Sequence, residues 1–374
     1  MTVYITNGFI DYSEKKSLVD GFKSPVFVHQ INSILNNPLV RRGLIYPPHY
    51  IVDNLLDNYD SKYSWPDSTA RAFILASGNS SFIGNQSKFP LPNTILASKY
   101  LSAPMAITQI YAGKIASRLG FTGRIVTDAS ACASSLVALH HARMMIEFEG
   151  FHEVAILAVE NQVCFSTLDF FMSFGAIPTY EQINSGFLPS AFDSINHGFL
   201  LGQGAAFVTL ASEASINASS INPIAIVEGT SVGSEPDASS LSPRSDGMGY
   251  RLVIERVLLD SGFSPSDIDL IKTHGTGTPA NNLAENGAIR TVFGNNFLAT
   301  SYKPMIGHTL GVSGLLELIL SIREAKSGRI SGILNRSSPD KNFISDDYFG
   351  TVRTILSLAS GMGNIFSSAL CRVI

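Results

Sequence analysis

The feature that most constrains how this chain can fold is a series of short apolar runs. They are "VYIT" (3–6), "RAFILAS" (71–77), "RIVTDAS" (124–130), "EVAILAVE" (153–160), "AAFVTLAS" (205–212), "PIAIVEGTSV" (223–232), "IDLIKTHG" (268–275), "TVRTILSLAS" (351–360) and "SSALCRVI" (367–374). A strand with one wet face alternates apolar and polar residues. Runs apolar on both faces belong in sheets covered from both sides. Helical periodicity falls between them, at 103–119, 132–149, 250–262, 282–293 and 309–326. Strands alternating with helices predict an α/β architecture with covered sheets. The Ser/Asn-rich stretch "EASINASSIN" (213–222) separates two groups of strands, so the expected division is into residues 1–215 and 216–374. Residues 11–70 read as loops and short helices and carry no assigned chemistry.

With 374 residues, 45% of them hydrophobic, the chain can bury a large core as one big domain or two fused ones. Only 15% of residues are charged, which suits a protein that covers further surface against another subunit. A net charge of -4 gives no support for nucleic-acid binding, although a local basic patch for an acidic protein partner stays compatible with it. Cys132, Cys164 and Cys371 have no paired spacing. That pattern predicts a reducing compartment, no disulfide frame and no metal site. The N-terminus lacks a basic segment followed by an apolar run, and no stretch reaches the ~18–20 apolar residues of a membrane helix. The expected location is cytoplasmic.

Chemistry concentrates in three stretches. In "DASACASSLVALHH" (128–141), Cys132 sits among small residues where a strand gives way to a helix. Helix N-terminal N–H groups stabilise a thiolate, so this position predicts a nucleophile with a lowered pKa. In "KTHGTGTPANNLAE" (272–285), His274 ends a strand and opens a Gly-rich turn. In "SYKPMIGHTLGVSGLLELIL" (301–320), His308 stands beside glycine at the entry to an apolar helix, and Glu317 interrupts that helix and needs a partner if buried. Alone, Cys132 could be an inert core residue, each histidine a turn or cap residue, and Lys303 a solvated lysine. Together they point to a thiol nucleophile with polar activators, suited to acyl transfer. The residues by themselves do not separate a hydrolase from a transferase.

The three stretches, in this order, resemble the motifs of the β-ketoacyl synthase family, the condensing enzymes of fatty-acid and polyketide synthesis. "DASACASSLVALHHA" is similar to its nucleophile motif and closest to the polyketide form. "HGTGTP" and "KPMIGHTLGVSG" are similar to its two histidine motifs. Fainter likeness runs through "VYITNG", "AFDSINHGFLLGQGAA" (191–206) and "SGMGNIF" (360–366). The resemblance implies a thiolase-like fold of two similar halves in a five-layer αβαβα sandwich, dimeric through the first half. It implies that Cys132 takes an acyl group from the phosphopantetheine of an acyl carrier protein, with no other cofactor bound. His274 and His308 would stabilise the enolate formed when malonyl carrier protein loses CO2. The Cys132 and Met362 backbone N–H groups would form the second oxyanion hole. Thr276 and Thr278 would hold the phosphopantetheine arm, and Lys303 and Glu317 would form a buried pair beside the histidines.

Several positions depart from the family pattern. Met362 replaces a phenylalanine that gates the acyl pocket, and Asn364 stands where glycine is usual, so the backbone there is expected to differ. Ile365 and Phe366 complete the altered motif. Asn282 replaces an aspartate, and Asn196 and Gln203 replace an Arg and a Glu. These departures suggest a specialised fatty-acid or polyketide pathway of the type II, aryl-polyene-like kind. The alternative is a non-elongating subunit resembling a chain-length factor, paired with an active synthase. A starter-unit synthase would carry Asn where His308 stands, and a thiol hydrolase leaves both histidine motifs unexplained. His140 and His141 read as helix-packing residues, Cys164 and Cys371 as core, and His29, His49 and His152 carry no motif.

Overall fold

The computed structural model describes residues 2–11, 70–78, 108–160, 165–202, 204–218, 222–236 and 241–374. The expectations for His29, His49, Cys164, Gln203 and nearly all of 11–70 lie outside the described residues.

Each predicted strand run forms a strand: β1 (Val3–Asp11), β2 (Arg71–Ala76), β3 (Ile125–Asp128), β4 (Glu153–Glu160), β5 (Gly204–Ser212), β6 (Ala225–Ser234), β7 (Leu270–Lys272), β11 (Thr354–Gly361) and β12 (Ile365–Val373). Three two-residue strands were not legible: β8 (Ala299–Thr300), β9 (Arg329–Ile330) and β10 (Tyr348–Phe349). Pieces so short carry no period. The predicted helices appear as α1 (Thr108–Arg118), α2 (Ser134–Phe148), α6 (Met248–Ser261), α7 (Pro279–Phe293) and α9 (Ser313–Ser327). Short helices α3 (Phe165–Ser173), α4 (Tyr180–Asn184), α5 (Glu213–Asn217) and α8 (Lys303–Ile306) lie between them.

Among the described residues the main sheet runs β3-β2-β4-β5-β1-β6-β12-β11-β7-β8. It reads the same from both ends. In each half the outer three strands are parallel and the inner two antiparallel. The halves meet where β1 pairs with β6 over only Val3–Ile5, whereas β1 follows β5 along its whole length. Pairing at one end alone lets the two half-sheets diverge, and α2 and α9 fill the gap. Both helices contact strands of both half-sheets.

The alternation of side chains builds five layers. In β2, Ala72, Ile74 and Ala76 face the central helices, while Phe73 and Leu75 face α1 on the outside. In β11, Ile355 and Ala359 face inward, while Leu356 and Leu358 face α6 and α7. The order α1, half-sheet, α2 with α9, half-sheet, α6 with α7 is the expected αβαβα sandwich. A helix in the middle layer has no solvent face, which is why α9 is buried at every position from Ser313 to Ile322. Gly314 lets it approach α2 closely, since a Cβ there would lie 2.6 Å from Leu136. The Leu315 N–H also donates to Ser135 Oγ across the pair.

Candidate active site

The middle layer starts with two similar elbows. In the first half, β3 leads through a 3₁₀ turn at Ala131–Ala133 into α2, and Ala131 has φ 48°. In the second, a 3₁₀ turn at Leu310–Val312 leads into α9, and Leu310 has φ 50°. Cys132 and Gly311 occupy equivalent places, and the two turns pack together. Glu160, at the end of β4, ties the second turn to the end of β2: its Oε2 accepts from the Gly78 N–H at 2.8 Å and the Gly311 N–H at 3.2 Å.

A cavity of about 420 Å³ opens at this junction. Cys132 lines it together with His274, His308, Thr276, Thr278 and Met362. Residues more than two hundred positions apart in sequence thus share one wall. Cys132 also packs, partly buried, against Phe171, Phe199 and Leu310. That burial pushes its thiol up to about 12, against a smaller pull downward from the Lys303 charge. The expectation of a lowered thiol pKa is therefore corrected. The cysteine lies in a short turn before α2, inside an apolar cluster, and desolvation of the thiolate outweighs nearby positive charge.

The two imidazoles meet edge to face, with ring centroids 5.7 Å apart. The Leu310 N–H donates to His308 Nδ1 at 3.2 Å, and Ser313 Oγ lies 2.9 Å from the same nitrogen. Nδ1 is thus an acceptor, which puts the proton of the neutral ring on Nε2. His274 Nδ1 is buried without a hydrogen-bond partner, and a bare lone pair is tolerated there better than an orphaned N–H. Burial, followed by the Lys303 charge, holds both histidines well below their ordinary value, so both are neutral. The backbone of His274 is held on both sides: its N–H donates to Glu285 Oε1 at 2.5 Å, and its carbonyl accepts from Lys303 Nζ.

Lys303 and Glu317 are paired at 2.8 Å with almost no exposure. Thr276 and Thr278 hydroxyls lie 3.2 Å apart at the start of α7. Met362 lies in the β11–β12 hairpin loop, whose Gly361 abuts the first elbow: a Cβ there would come 2.8 Å from Ser130 O. Asn364 has φ 60°, a left-handed conformation that asparagine tolerates more readily than other non-glycine residues. Phe366 is buried against Tyr250, and Gly249 makes room, since a Cβ there would lie 2.3 Å from the ring. Asn196 donates to Asn335 O at 3.0 Å, and Asn282 accepts the Phe192 N–H and donates to Gly277 O. Both amides bond to backbone.

Some site residues escaped the sequence reading. Lys272 lies fully buried, 3.1 Å from the other oxygen of Glu317. Its signal was a lysine inside an apolar strand run. Tyr250 OH bonds Asn281 Oδ1 and Ser360 Oγ, each at 2.6 Å, and Asn281 bonds Glu285. This chain connects the cavity wall to the carboxylate behind His274, and no spacing in the sequence announces it. Outside the cavity, His140 bonds Thr230 and His141 faces Asp128 at 3.6 Å. Cys371 is buried in the core and His152 is exposed. Among the described residues no group of acidic, histidine or cysteine side chains could hold a metal ion, and no helix is long and apolar enough to cross a membrane.

An elbow cysteine and two neutral histidines lie at the seam of a duplicated α/β sandwich, and the architecture is that of a thiolase-like fold. Residues 67–215 match the family described as Beta-ketoacyl synthase, N-terminal domain, and residues 224–337 match Beta-ketoacyl synthase, C-terminal domain. The chain belongs to the β-ketoacyl synthase family. A relative, 3-oxoacyl-[acyl-carrier-protein] synthase 2 of Staphylococcus aureus, is 27% identical over 241 residues, which cover 63% of this chain and 59% of the relative. The match thus spans less than two thirds of that relative's length.

Among solved structures, the chain is similar to a type II polyketide synthase acyl-carrier protein complex with its ketosynthase bound to the hexaketide. There the TM-score is 0.81 at 19% identity, covering 100% of this chain and 99% of the other. It is also similar to the ishigamide ketosynthase/chain length factor, with TM-score 0.74, 18% identity and 100% and 99% coverage. For a β-ketoacyl synthase from Burkholderia phymatum the TM-score is 0.76 at 19% identity, covering 100% and 99%. At these identities the likeness is one of fold.

Proposed function

We propose that this protein is a β-ketoacyl-[acyl-carrier-protein] synthase acting in a specialised fatty-acid or polyketide pathway of the type II, aryl-polyene-like kind. One observation carries the reading: Cys132, His274 and His308, from three distant stretches, line a single cavity. Cys132 Sγ attacks the thioester carbonyl of an acyl carrier protein. The bond to the phosphopantetheine sulfur breaks, that thiol leaves with a proton, and an acyl-Cys132 thioester remains. Because burial keeps the resting thiol protonated, its proton leaves as the carbon–sulfur bond forms and passes to the departing phosphopantetheine sulfur.

Malonyl carrier protein then binds, with its arm along Thr276 and Thr278. The bond to the carboxylate breaks, CO2 departs, and the electron pair moves onto the thioester oxygen. The Nε2–H groups of His308 and His274 donate to that enolate. Such a preorganised donor contributes roughly 3–4 kcal/mol in a water-poor site. The enolate carbon next attacks the acyl carbonyl, the Cys132 and Met362 N–H groups hold the oxyanion, and Cys132 leaves to release a 3-ketoacyl carrier protein. Lys303 and Glu317 hold the His274 segment in place. The working unit is a dimer of like chains or of this chain with another ketosynthase-like subunit, located in the cytoplasm.

The test is intact-protein mass after incubation with acyl carrier proteins loaded with short, medium and unsaturated chains, for the wild type and Cys132→Ala. A mass gain equal to the acyl group, absent from the variant, is expected. No acylation of a folded wild type by any donor would sink this reading. Acylation confined to an added partner synthase would establish the second one, a chain-length-factor-like subunit, which the altered Met362–Phe366 loop favours.

A further inference from the structure

Glu317 is bonded by two lysines, although one would neutralise it. Lys303 takes Oε1 at 2.8 Å and Lys272 takes Oε2 at 3.1 Å. Lys272 is the last residue of β7, two positions before His274, and its side chain is 0% exposed. Its Nζ also donates to the Leu358 carbonyl of β11 at 2.9 Å. Enclosing an ammonium ion is expensive even when it is paired, and a well-packed apolar side chain of similar volume is often as stable or more so. Leu270, two residues earlier, packs in the same central layer without any charge. Packing therefore does not account for a lysine at 272.

We propose that Lys272 is a positioning residue of the active site: it anchors the far oxygen of Glu317, so that the near oxygen holds Lys303 under the His274 carbonyl, and it places a second positive charge behind the two imidazoles. The groups facing this cluster are known from every element around it. They are Lys303 on α8, Glu317 on α9, Glu285 on α7, Glu160 at the end of β4, and Cys132, His274 and His308 on the cavity wall. Glu317 balances one lysine. Glu285 is engaged by the His274 and Gly275 N–H groups, and Glu160 by the Gly78 and Gly311 N–H groups. The charge of Lys272 acts on both histidines in the direction that disfavours imidazolium. A protonated ring would also bind the malonyl carboxylate and hold back the loss of CO2, whereas a neutral Nε2–H stabilises chiefly the enolate that forms. Removing one positive charge makes both rings easier to protonate.

This role deepens the condensing reading and rests on it, but the decisive measurement needs no turnover. The ring protons of His274 and His308 are followed by NMR from pH 8 to pH 5 in the full-length unacylated chain, for the wild type, Lys272→Met and Lys272→Gln. In the variants the titration midpoints are expected to rise by about one pH unit. The acid limb of malonyl carrier protein decarboxylation should move with them, a shift that a purely structural residue would not cause. Unchanged midpoints in a folded variant would overturn the proposal. If neither variant folds, the wild type decides. A slowly exchanging ammonium signal for Lys272 at neutral pH supports the proposal, and a neutral amine overturns it. Failure of wild-type condensation with a shifted titration would sink the assignment as a condensing enzyme and leave the electrostatic role of Lys272 standing.

Discussion

The two elbows of the middle layer share a backbone and differ in everything chemical. Each passes through a non-glycine residue in left-handed conformation, Ala131 at φ 48° and Leu310 at φ 50°, then a 3₁₀ turn, then a central helix. The first elbow puts Cys132 on the turn. The second puts Gly311 there, and its functional side chain, His308, lies ahead of the turn. The geometry explains the division. A Cβ on Gly311 would lie 2.1 Å from the backbone nitrogen of Gly78, just after β2, and a Cβ on Gly78 would lie 2.7 Å from the Ala131 carbonyl, so Gly78 is wedged between the two turns. One elbow carries the proposed nucleophile, and the other gives up its side chain so that the backbone of Gly78 can pack against it.

The largest effect should come from making the first elbow like the second. Cys132→Gly leaves the backbone a conformation it can adopt and removes the sulfur. Acylation detectable by intact mass should vanish entirely. A second expectation for the same sulfur follows from its burial. Because the thiol is pushed up to about 12, iodoacetamide alkylation of the wild type should show no inflection near pH 8.5, where an ordinary cysteine ionises.

Next is His308→Ala, which removes the functional group of the second elbow alone. Decarboxylation of malonyl carrier protein should fall by about 10²–10³-fold, while acyl transfer to Cys132 persists. Equal loss of both half-reactions would mean that the elbows do not divide the work. The neutral histidines also set a pH dependence. Their folded pKa values lie below the unfolded value of about 6.5, so the unfolded chain binds more protons as pH falls. Stability contributed by burying them is complete above that value and is lost progressively below it. Urea midpoints measured from pH 8 to pH 5 should decline only in the lower part of that range.

How much of this was readable in advance follows from how local each signal is. Ile74 and Phe73 look to opposite layers because strand side chains alternate, and the apolar run announced that both layers were covered. Cys132, His274 and His308 were legible because each stands in an unusual local setting, a helix start or a Gly-flanked turn. Glu317 was legible as a charge in an apolar helix. Lys272 gave the same kind of signal in a strand, and its meaning depended on Glu317 lying next to it in space. The thiol pKa was misread because a helix start is visible in sequence while the apolar cage of Phe171 and Phe199 is not. The pairing of Gly249 with Phe366 is a contact across 117 positions (366 − 249), and only the packed fold reveals it.

The backbone strain common to both elbows supplies the smaller tests. Gly311→Ala should destabilise the protein by about 3 kcal/mol, because the obstacle is backbone nitrogen and not a movable side chain. Leu310→Gly relieves a left-handed leucine but removes a side chain buried in the cavity-side cluster, so it should cost about 2 kcal/mol net.

Ala131→Gly should do the reverse of Leu310→Gly, and it is the finest probe of the comparison. Ala131 carries the same left-handed φ, but its methyl group is only partly buried and contributes little to packing. Glycine adopts that conformation without strain, which is worth about 1 kcal/mol, and loses more freedom on folding, which takes back about half. A net gain of about 0.5 kcal/mol in urea unfolding is expected, with a slower acylation rate because the turn holding Cys132 is looser. Two elbows of one shape would then respond with opposite signs to the same substitution. If Ala131→Gly instead destabilises the protein as Leu310→Gly does, the strain is not what distinguishes the two turns, and the packing of Ala131 against Gly361 carries the first elbow.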